Sequence, residues 1–258
     1  METRTVDVAI IGAGTAGLNA RRAVEKAGGQ PLLIESGVYG TTCARVGCMP
    51  SKLLIAAADA AHEVASADGF GIEVPDWRID GPRVLARVQR ERDRFAGMVA
   101  ANTEALPAEQ RLLGHARFTG TTTLEVDDHT RVEARAVVIA SGSSPFIPPP
   151  FDAIRADLLT SDNLFEQKTL PESLAVIGTG IIGLELGQAL QRLGVRVTFF
   201  NPFNELGPFT DPVVEQASHA FLAAELDLQL QSSVLSATRV AAGVELRYVD
   251  QAGFEHTA

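Results

Sequence analysis

The stretch Val8-Ala9-Ile10-Ile11-Gly12-Ala13-Gly14-Thr15-Ala16-Gly17 sets a short apolar run directly against three glycines spaced G-x-G-x-x-G. The run has the length and β-branched content of a buried strand. Residues 15–27 contain no proline and suit a helix, Gly28-Gly29 provides its stop, and Leu32-Leu33-Ile34 reads as a second strand closed by Glu35. The spacing therefore predicts a βαβ unit over residues 6–35.

The same arrangement returns downstream. Leu174-Ala175-Val176-Ile177 precedes Gly178-Thr179-Gly180-Ile181-Ile182-Gly183, a helix to Leu193, a stop at Gly194 and a strand over residues 195–200. The offset is 166 from Gly12 to Gly178 and again 166 from Glu35 to Asn201, so the two copies align without a gap. In such a unit the first glycine (Gly12, Gly178) permits the tight turn. The second (Gly14, Gly180) lets the backbone approach a pyrophosphate, and the third (Gly17, Gly183) lets helix and strand pack closely. The helix N-terminus offers unsatisfied N–H groups and a partial positive charge to the phosphates. Glu35, 23 residues after Gly12, stands where a carboxylate can accept hydrogen bonds from a ribose diol. Asn201 takes that place in the second copy; it can bond a ribose hydroxyl but neither repels nor attracts a 2′-phosphate. No arginine occurs over residues 201–207, so the balance leans to NAD without excluding NADP.

Between the copies, residues 51–67 and 81–106 read as helices, the second charged and amphipathic. Short alternating strands follow over residues 111–135, with Asp127-Asp128-His129 as a hairpin turn, and then a buried strand over 136–140 leading into Ser141-Gly142. The prolines at 148–150 mark the best boundary, dividing the chain into domains 1–147 and 148–258. Residues 211–226 suggest a helix and 228–249 further strands. The expected class is α/β, with two Rossmann-like nucleotide-binding domains whose parallel sheets carry added antiparallel strands.

Composition narrows the function. The 258 residues carry 22 basic and 32 acidic side chains, a net charge of −10, with 46% hydrophobic and 21% charged residues. That is globular rather than disordered, and it argues against a protein that tracks nucleic-acid phosphates. The suggestive uncharged stretch 136–151 contains four prolines and is too short to span a bilayer. The first seven residues are polar and charged, unlike a signal peptide, so a cytoplasmic setting is the default. No metal site is expected.

Only two cysteines occur, Cys43 and Cys48. Helical residues five apart lie roughly 8–9 Å from one another, whereas a disulfide needs Cα atoms about 4.4–6.8 Å apart. A bridge would require irregular backbone, which Gly47 permits, while Pro50 suits the first turn of the helix that follows. Thiolates near that N-terminus would be stabilised. From the residues alone, the pair is either two unrelated buried thiols or a redox couple.

Gly40-Thr41-Thr42-Cys43-Ala44-Arg45-Val46-Gly47-Cys48-Met49-Pro50-Ser51-Lys52 resembles the redox-active segment of the class I pyridine nucleotide-disulfide oxidoreductases. Pro50-Ser51-Lys52 is more similar to dihydrolipoamide dehydrogenases and mercuric reductases than to glutathione reductases. Ala140-Ser141-Gly142, Leu159-Thr160-Ser161-Asp162, Leu170-Pro171 and Gly183-Leu184-Glu185 extend the resemblance over essentially the whole chain.

The resemblance implies that the two Rossmann-like domains are FAD/NAD(P)-binding domains, in a flavoprotein oxidoreductase that passes electrons between NAD(P)H, FAD and a Cys43–Cys48 disulfide, most like dihydrolipoamide dehydrogenase. Gly12, Gly14, Gly17 and Glu35 would hold FAD, with Thr42 and Lys52 beside the flavin and Ala116, Ser141 and Gly142 near its adenosine. Cys48 would face the flavin and Cys43 would exchange with the substrate. Lys52 and Glu185 would pair near the flavin's reactive edge, and Gly178, Gly180, Gly183, Asn201 and Val234 would contact the nicotinamide nucleotide.

Implied partners are a small or lipoyl-type disulfide or dithiol and, for a longer parent protein, a second copy; no nucleic acid and no membrane are expected. Members of this family continue well past the length of this chain, into an interface domain with a His–Glu pair, and none of the five histidines here has a glutamate five residues on. The chain thus reads as an N-terminal part whose second nucleotide-binding domain is incomplete. Alternatives are a nucleotide-binding fragment without turnover and a mercuric reductase-like enzyme. Thr41 stands where the family usually has a second glycine, which puts the local loop geometry in question.

Overall fold

A computed structural model describes residues Met1–Ala258. Contacts group the chain into two compact units, Met1–Pro50 with Arg90–Ser144, and Ser51–Gln89 with Pro145–Ala258.

The first elements in chain order are β1 (Glu2–Ile11), α1 (Thr15–Lys26), β2 (Pro31–Glu35), α2 (Thr42–Arg45), α3 (Cys48–Ser66) and α4 (Gly81–Glu104). The strands β3 (Arg111–Leu113), β4 (Ala116–Phe118), β5 (Thr123–Val126) and β6 (Thr130–Ile139) follow. In the first unit these strands form one sheet in the order β3-β2-β1-β6-β5-β4. β3, β2, β1 and β6 are mutually parallel, while β4 and β5 add antiparallel to the β6 side. Strand alternation sends neighbouring residues to opposite faces. Ile10 and Leu33 accordingly enter one apolar cluster with Leu18, Ala100 and Leu106, and Ala9, Leu32 and Ile34 enter another with Leu124, Val126 and Val132.

β1 begins at Glu2, ahead of residue 6, the start of the predicted βαβ unit: Glu2 pairs with Thr130 and the ladder runs on to Ile11 opposite Ile139. The chain leaves β1 to one side for β2 and returns on the other as β6. That makes the carboxyl end of β1 a topological switch point, where open α/β sheets take their ligands.

The second unit contains β7 (Ser173–Ile177), α5 (Ile181–Arg192), β8 (Arg196–Asn201), α6 (Pro212–Ala223), β9 (Asp227–Leu230), β10 (Ser233–Val240), β11 (Gly243–Val249) and β12 (Glu255–Thr257). β7, β8 and β9 form a parallel sheet, and β10, β11 and β12 an antiparallel one. Val197 and Phe199 of β8 bury on one side with Leu190 and Leu193, while Phe200 buries on the other with Phe151, Ile154, Ala237 and Leu246. Helix α5 lies so close to β8 that a Cβ on Gly187 would sit 2.4 Å from the Phe199 ring.

Residues 51–89 group with this second unit because their apolar stripe is buried there. Leu54, Ala58 and Ala61, with Leu85 and Val88, share a cluster with Leu190, Val197 and Phe199. The contact grouping therefore does not follow a linear boundary at 147/148. No helix is long and apolar enough to cross a membrane.

Candidate active site

The glycines of the first unit have three different reasons to be glycine. Gly12 has φ +105°, and a Cβ there would stand 2.2 Å from the carbonyl oxygen of Ala140. Gly17 would put a Cβ 1.9 Å from the Gly12 carbonyl oxygen, so helix and turn touch through it. Gly14, by contrast, has open space where its Cβ would go. It is the N-cap of α1, makes no side-chain cap, and no acidic residue occupies the first turn. The helix thus presents bare N–H groups into a space with nothing of the chain's own to fill it, which fits a bound pyrophosphate.

Glu35 closes β2 on the same rim. Its Oε2 accepts from the Ala13 N–H at 2.8 Å and its Oε1 from the Gly37 N–H at 3.0 Å. The carboxylate therefore orients the glycine turn, and each oxygen retains acceptor capacity for a ribose hydroxyl. Its backbone carbonyl accepts from Gly114 N–H at 2.9 Å, which brings the start of β4 at Ala116 toward the end of β2. Ser141 is exposed, and Gly142 takes φ +73° just past β6, on the other side of Gly12. These positions together fit FAD by the chemistry of the donor set.

Beyond β2, Gly40 turns at φ +108° into α2. Thr41 is the N-cap of that helix, its Oγ1 accepting from the Ala44 N–H at 3.1 Å, so a threonine here supplies a cap without disturbing the loop. Thr42 is exposed at the first helical position. The α2 turn ends at Arg45, and Gly47 brings the chain back against it: a Cβ on Gly47 would lie 3.1 Å from the Thr42 carbonyl oxygen and 3.2 Å from the Cys43 Cα. This is the irregular backbone that a pair five residues apart requires.

Both cysteines are thiols, Cys43 half-buried and Cys48 exposed. The hydrogen bond Cys43 makes to Cys48, reinforced by burial and by the charge a Cys48 thiolate would carry, pushes the Cys43 thiol above its ordinary range. At Cys43 this works against the stabilisation expected of thiolates near the helix N-terminus and favours the protonated form within the dithiol. The helix also starts earlier than Pro50 suggests, at Cys48. Proline is accommodated because first-turn N–H groups have no intrahelical acceptor.

Lys52 and Glu185 are brought together, with Lys52 Nζ 2.9 Å from Glu185 Oε1. Partial burial works to raise the Glu185 carboxyl, but hydrogen bonds from Ser51 and Lys52 and the Lys52 charge outweigh it and hold the group below its ordinary range. Ser51 is a site residue with no role readable from the sequence beyond its place beside Lys52.

The second glycine turn repeats the first with altered chemistry. Gly178 turns at φ +97°, Gly180 caps α5 without a side-chain bond and has open space at its Cβ, and a Cβ on Gly183 would meet the Gly178 carbonyl oxygen at 2.3 Å. Asn201 Oδ1 accepts from Phe203 N–H at 3.2 Å, as Glu35 accepts from Gly37. The tie to the turn is reversed in polarity: Asn201 Nδ2 donates to the Thr179 hydroxyl, and also to the Glu205 carbonyl at 3.0 Å. Asn201 is buried with both amide hydrogens used inward. Thr179 was not foreseen; only its register with Ala13, 166 positions earlier, hints at it. Val234 packs into the cluster of Phe200 and Ala237 and pairs with Tyr248 in the β10–β11 ladder.

Residues 6–254 match the family model described as Pyridine nucleotide-disulphide oxidoreductase, and the chain belongs to that family. It is 29% identical over 252 residues to a dihydrolipoyl dehydrogenase of Synechocystis sp., covering 95% of this chain and 53% of that protein. It is 31% identical over 253 residues to a mycothione reductase of Mycobacterium tuberculosis, covering 95% and 54%. Over 201 residues it is 38% identical to a mercuric reductase of Streptomyces lividans, covering 74% and 42%. A solved HOCl-induced flavoprotein disulfide reductase from Escherichia coli, in a Cu(II) complex, shares the fold at TM-score 0.79 and 22% identity, over 98% of this chain and 55% of that one. The chain spans about half the length of the curated relatives it matches.

Proposed function

We propose that this chain forms the nucleotide-binding and disulfide-bearing part of a flavin-dependent disulfide oxidoreductase, in which the first unit binds FAD and the second a nicotinamide nucleotide. The observation that carries the reading is the hydrogen-bonded pair Cys43 and Cys48, closed by Gly47 and set eight residues after a carboxylate that already holds the glycine turn. The bare N–H groups at Gly14 take the pyrophosphate, Glu35 takes the adenosine ribose, and the 114–116 and 140–142 segments border the nucleotide. When bound, FAD supplies the two-electron link between the nicotinamide and the cysteine pair.

The chain's own chemistry is thiol–disulfide exchange. The Cys43 thiolate attacks one sulfur of an external disulfide, forming a mixed disulfide and releasing one thiolate. The Cys48 thiolate then attacks the Cys43 sulfur, forming Cys43–Cys48 and releasing the second thiolate, so two electrons leave the pair for the substrate. Because Cys43 holds its proton, the first attack requires loss of that proton. Lys52 and Glu185 place a fixed charge pair one helical turn after Cys48 in sequence.

Substrate identity rests on relatives of three named activities. The match to a dihydrolipoyl dehydrogenase over 95% of this chain and the Pro50-Ser51-Lys52 segment favour a lipoyl-type dithiol, and the family resemblance adds a cytoplasmic setting and a homodimeric parent protein. The 38% identity to a mercuric reductase supports that activity as the second reading. The test is NADH oxidation by FAD-loaded protein with oxidised lipoamide, mycothione and mercuric ion in parallel. Turnover with lipoamide, lost in Cys43→Ser and Cys48→Ser, is the expected result. Cysteine-independent oxidation, or none with any acceptor, would contradict the proposal and leave a nucleotide-binding fragment.

A further inference from the structure

We infer that Glu205 makes the second unit selective for NAD(H) over NADP(H), by placing a carboxylate where a 2′-phosphate would have to lie. The inference deepens the proposed function and rests on its reading of the second glycine turn as a nicotinamide-nucleotide site. In this unit type a pyrophosphate over Gly178–Gly183 sets the adenosine ribose against the end of the following strand, here Asn201 of β8. Asn201 is already spent: it is buried, with both amide hydrogens held by Thr179 and the Glu205 carbonyl.

The next charged group after Asn201 is the Glu205 side chain, beyond the exposed amide of Asn204. Its backbone is fixed to the turn itself, because its carbonyl oxygen also accepts from the Thr179 hydroxyl and Gly207 N–H donates to the Thr179 carbonyl at 2.8 Å. The side chain is exposed and takes no hydrogen bond or ion pair. Among residues 196–211 the only charges are Arg196, at the opposite end of β8, Glu205, and Asp211, whose carboxylate caps α6. A ribose diol can donate to a carboxylate, whereas a dianionic phosphate beside it meets like charge, with no lysine or arginine among residues 197–211 to offset it.

The wider field has the same sign. The first unit holds 12 basic and 12 acidic residues and the second 10 and 20, so the whole net charge of −10 resides in the second.

The experiment is direct titration of NADH and NADPH, read by nucleotide fluorescence, on the FAD-loaded chain and on Glu205→Gln and Glu205→Arg. NADH is expected to bind the unsubstituted protein at least about tenfold more tightly. That ratio should shrink as salt rises from about 0.05 to about 0.5 M. Glu205→Gln should lower it severalfold, and Glu205→Arg should bring it to unity or invert it, through weaker NADH and tighter NADPH binding. Equal binding of the two nucleotides, or a preference that both variants retain, overturns the inference while leaving the nucleotide site standing. Binding of neither nucleotide to a folded chain overturns the site reading and the inference with it.

Discussion

At the scale of single residues, the glycines separate packing from ligand binding. Gly17→Ala would force a Cβ into the Gly12 carbonyl and should cost at least about 1–3 kcal/mol in urea unfolding. Gly14→Ala meets nothing and keeps φ near −77°, so stability should hold while FAD retention through gel filtration falls. Equal loss of stability in both variants would contradict the assignment of Gly14 to the cofactor. The thiols allow a second test. Removing the hydrogen bond to Cys48 lets the Cys43 thiol fall back toward its ordinary range, so Cys48→Ala should accelerate iodoacetamide alkylation of Cys43 between about pH 7 and 8.5. Unchanged or slower alkylation would show that burial, not Cys48, holds the proton.

Elements are fixed by side-chain ties that add to local propensity. The folded Glu185 carboxyl lies below its unfolded range, so the Lys52–Glu185 pair stabilises above the unfolded value, near pH 4.3, and that contribution is lost as pH falls through the folded value. With Lys52 largely exposed, Glu185→Gln should cost no more than about 1 kcal/mol at pH 7 and nothing measurable near pH 2. A cost that persists at pH 2 would mean the residue acts through packing. Arg192 is a stronger clamp: it donates to Glu225 at 2.6 Å and to Asp59 at 3.0 Å, joining α5, α3 and the end of α6. Arg192→Met should cost about 1.5–3 kcal/mol by urea unfolding, since it strips a charge-assisted partner from half-buried Glu225.

For the whole molecule, the α/β architecture was legible because periodicity and punctuation agreed twice over, at Val8–Gly17 and again 166 positions on. The hairpin at Asp127 and the helix Gly81–Glu104 were legible for the same reason, local pattern matching local structure. The grouping of residues 51–89 with the second unit was not, because the stripe Leu54, Ala58 and Ala61 announces a buried face without naming what buries it. In the site, Cys43, Cys48, Lys52 and Glu185 could be picked out as residue types in a motif. The Thr179–Asn201 tie and the Ser51 bond to Glu185 could not, since side-chain hydrogen bonds between distant residues leave no periodicity.

The proposed chemistry requires that the first unit hold a flavin against a working cysteine pair. The most direct test is the visible spectrum of the purified chain after FAD loading and desalting, before and after one equivalent of dithiol reductant. Flavin absorbance should stay with the protein and shift on reduction, with the shift lost in Cys48→Ala and the bound flavin retained. Flavin that separates from a folded chain, or a reduction spectrum indifferent to Cys48, would contradict the proposed chemistry.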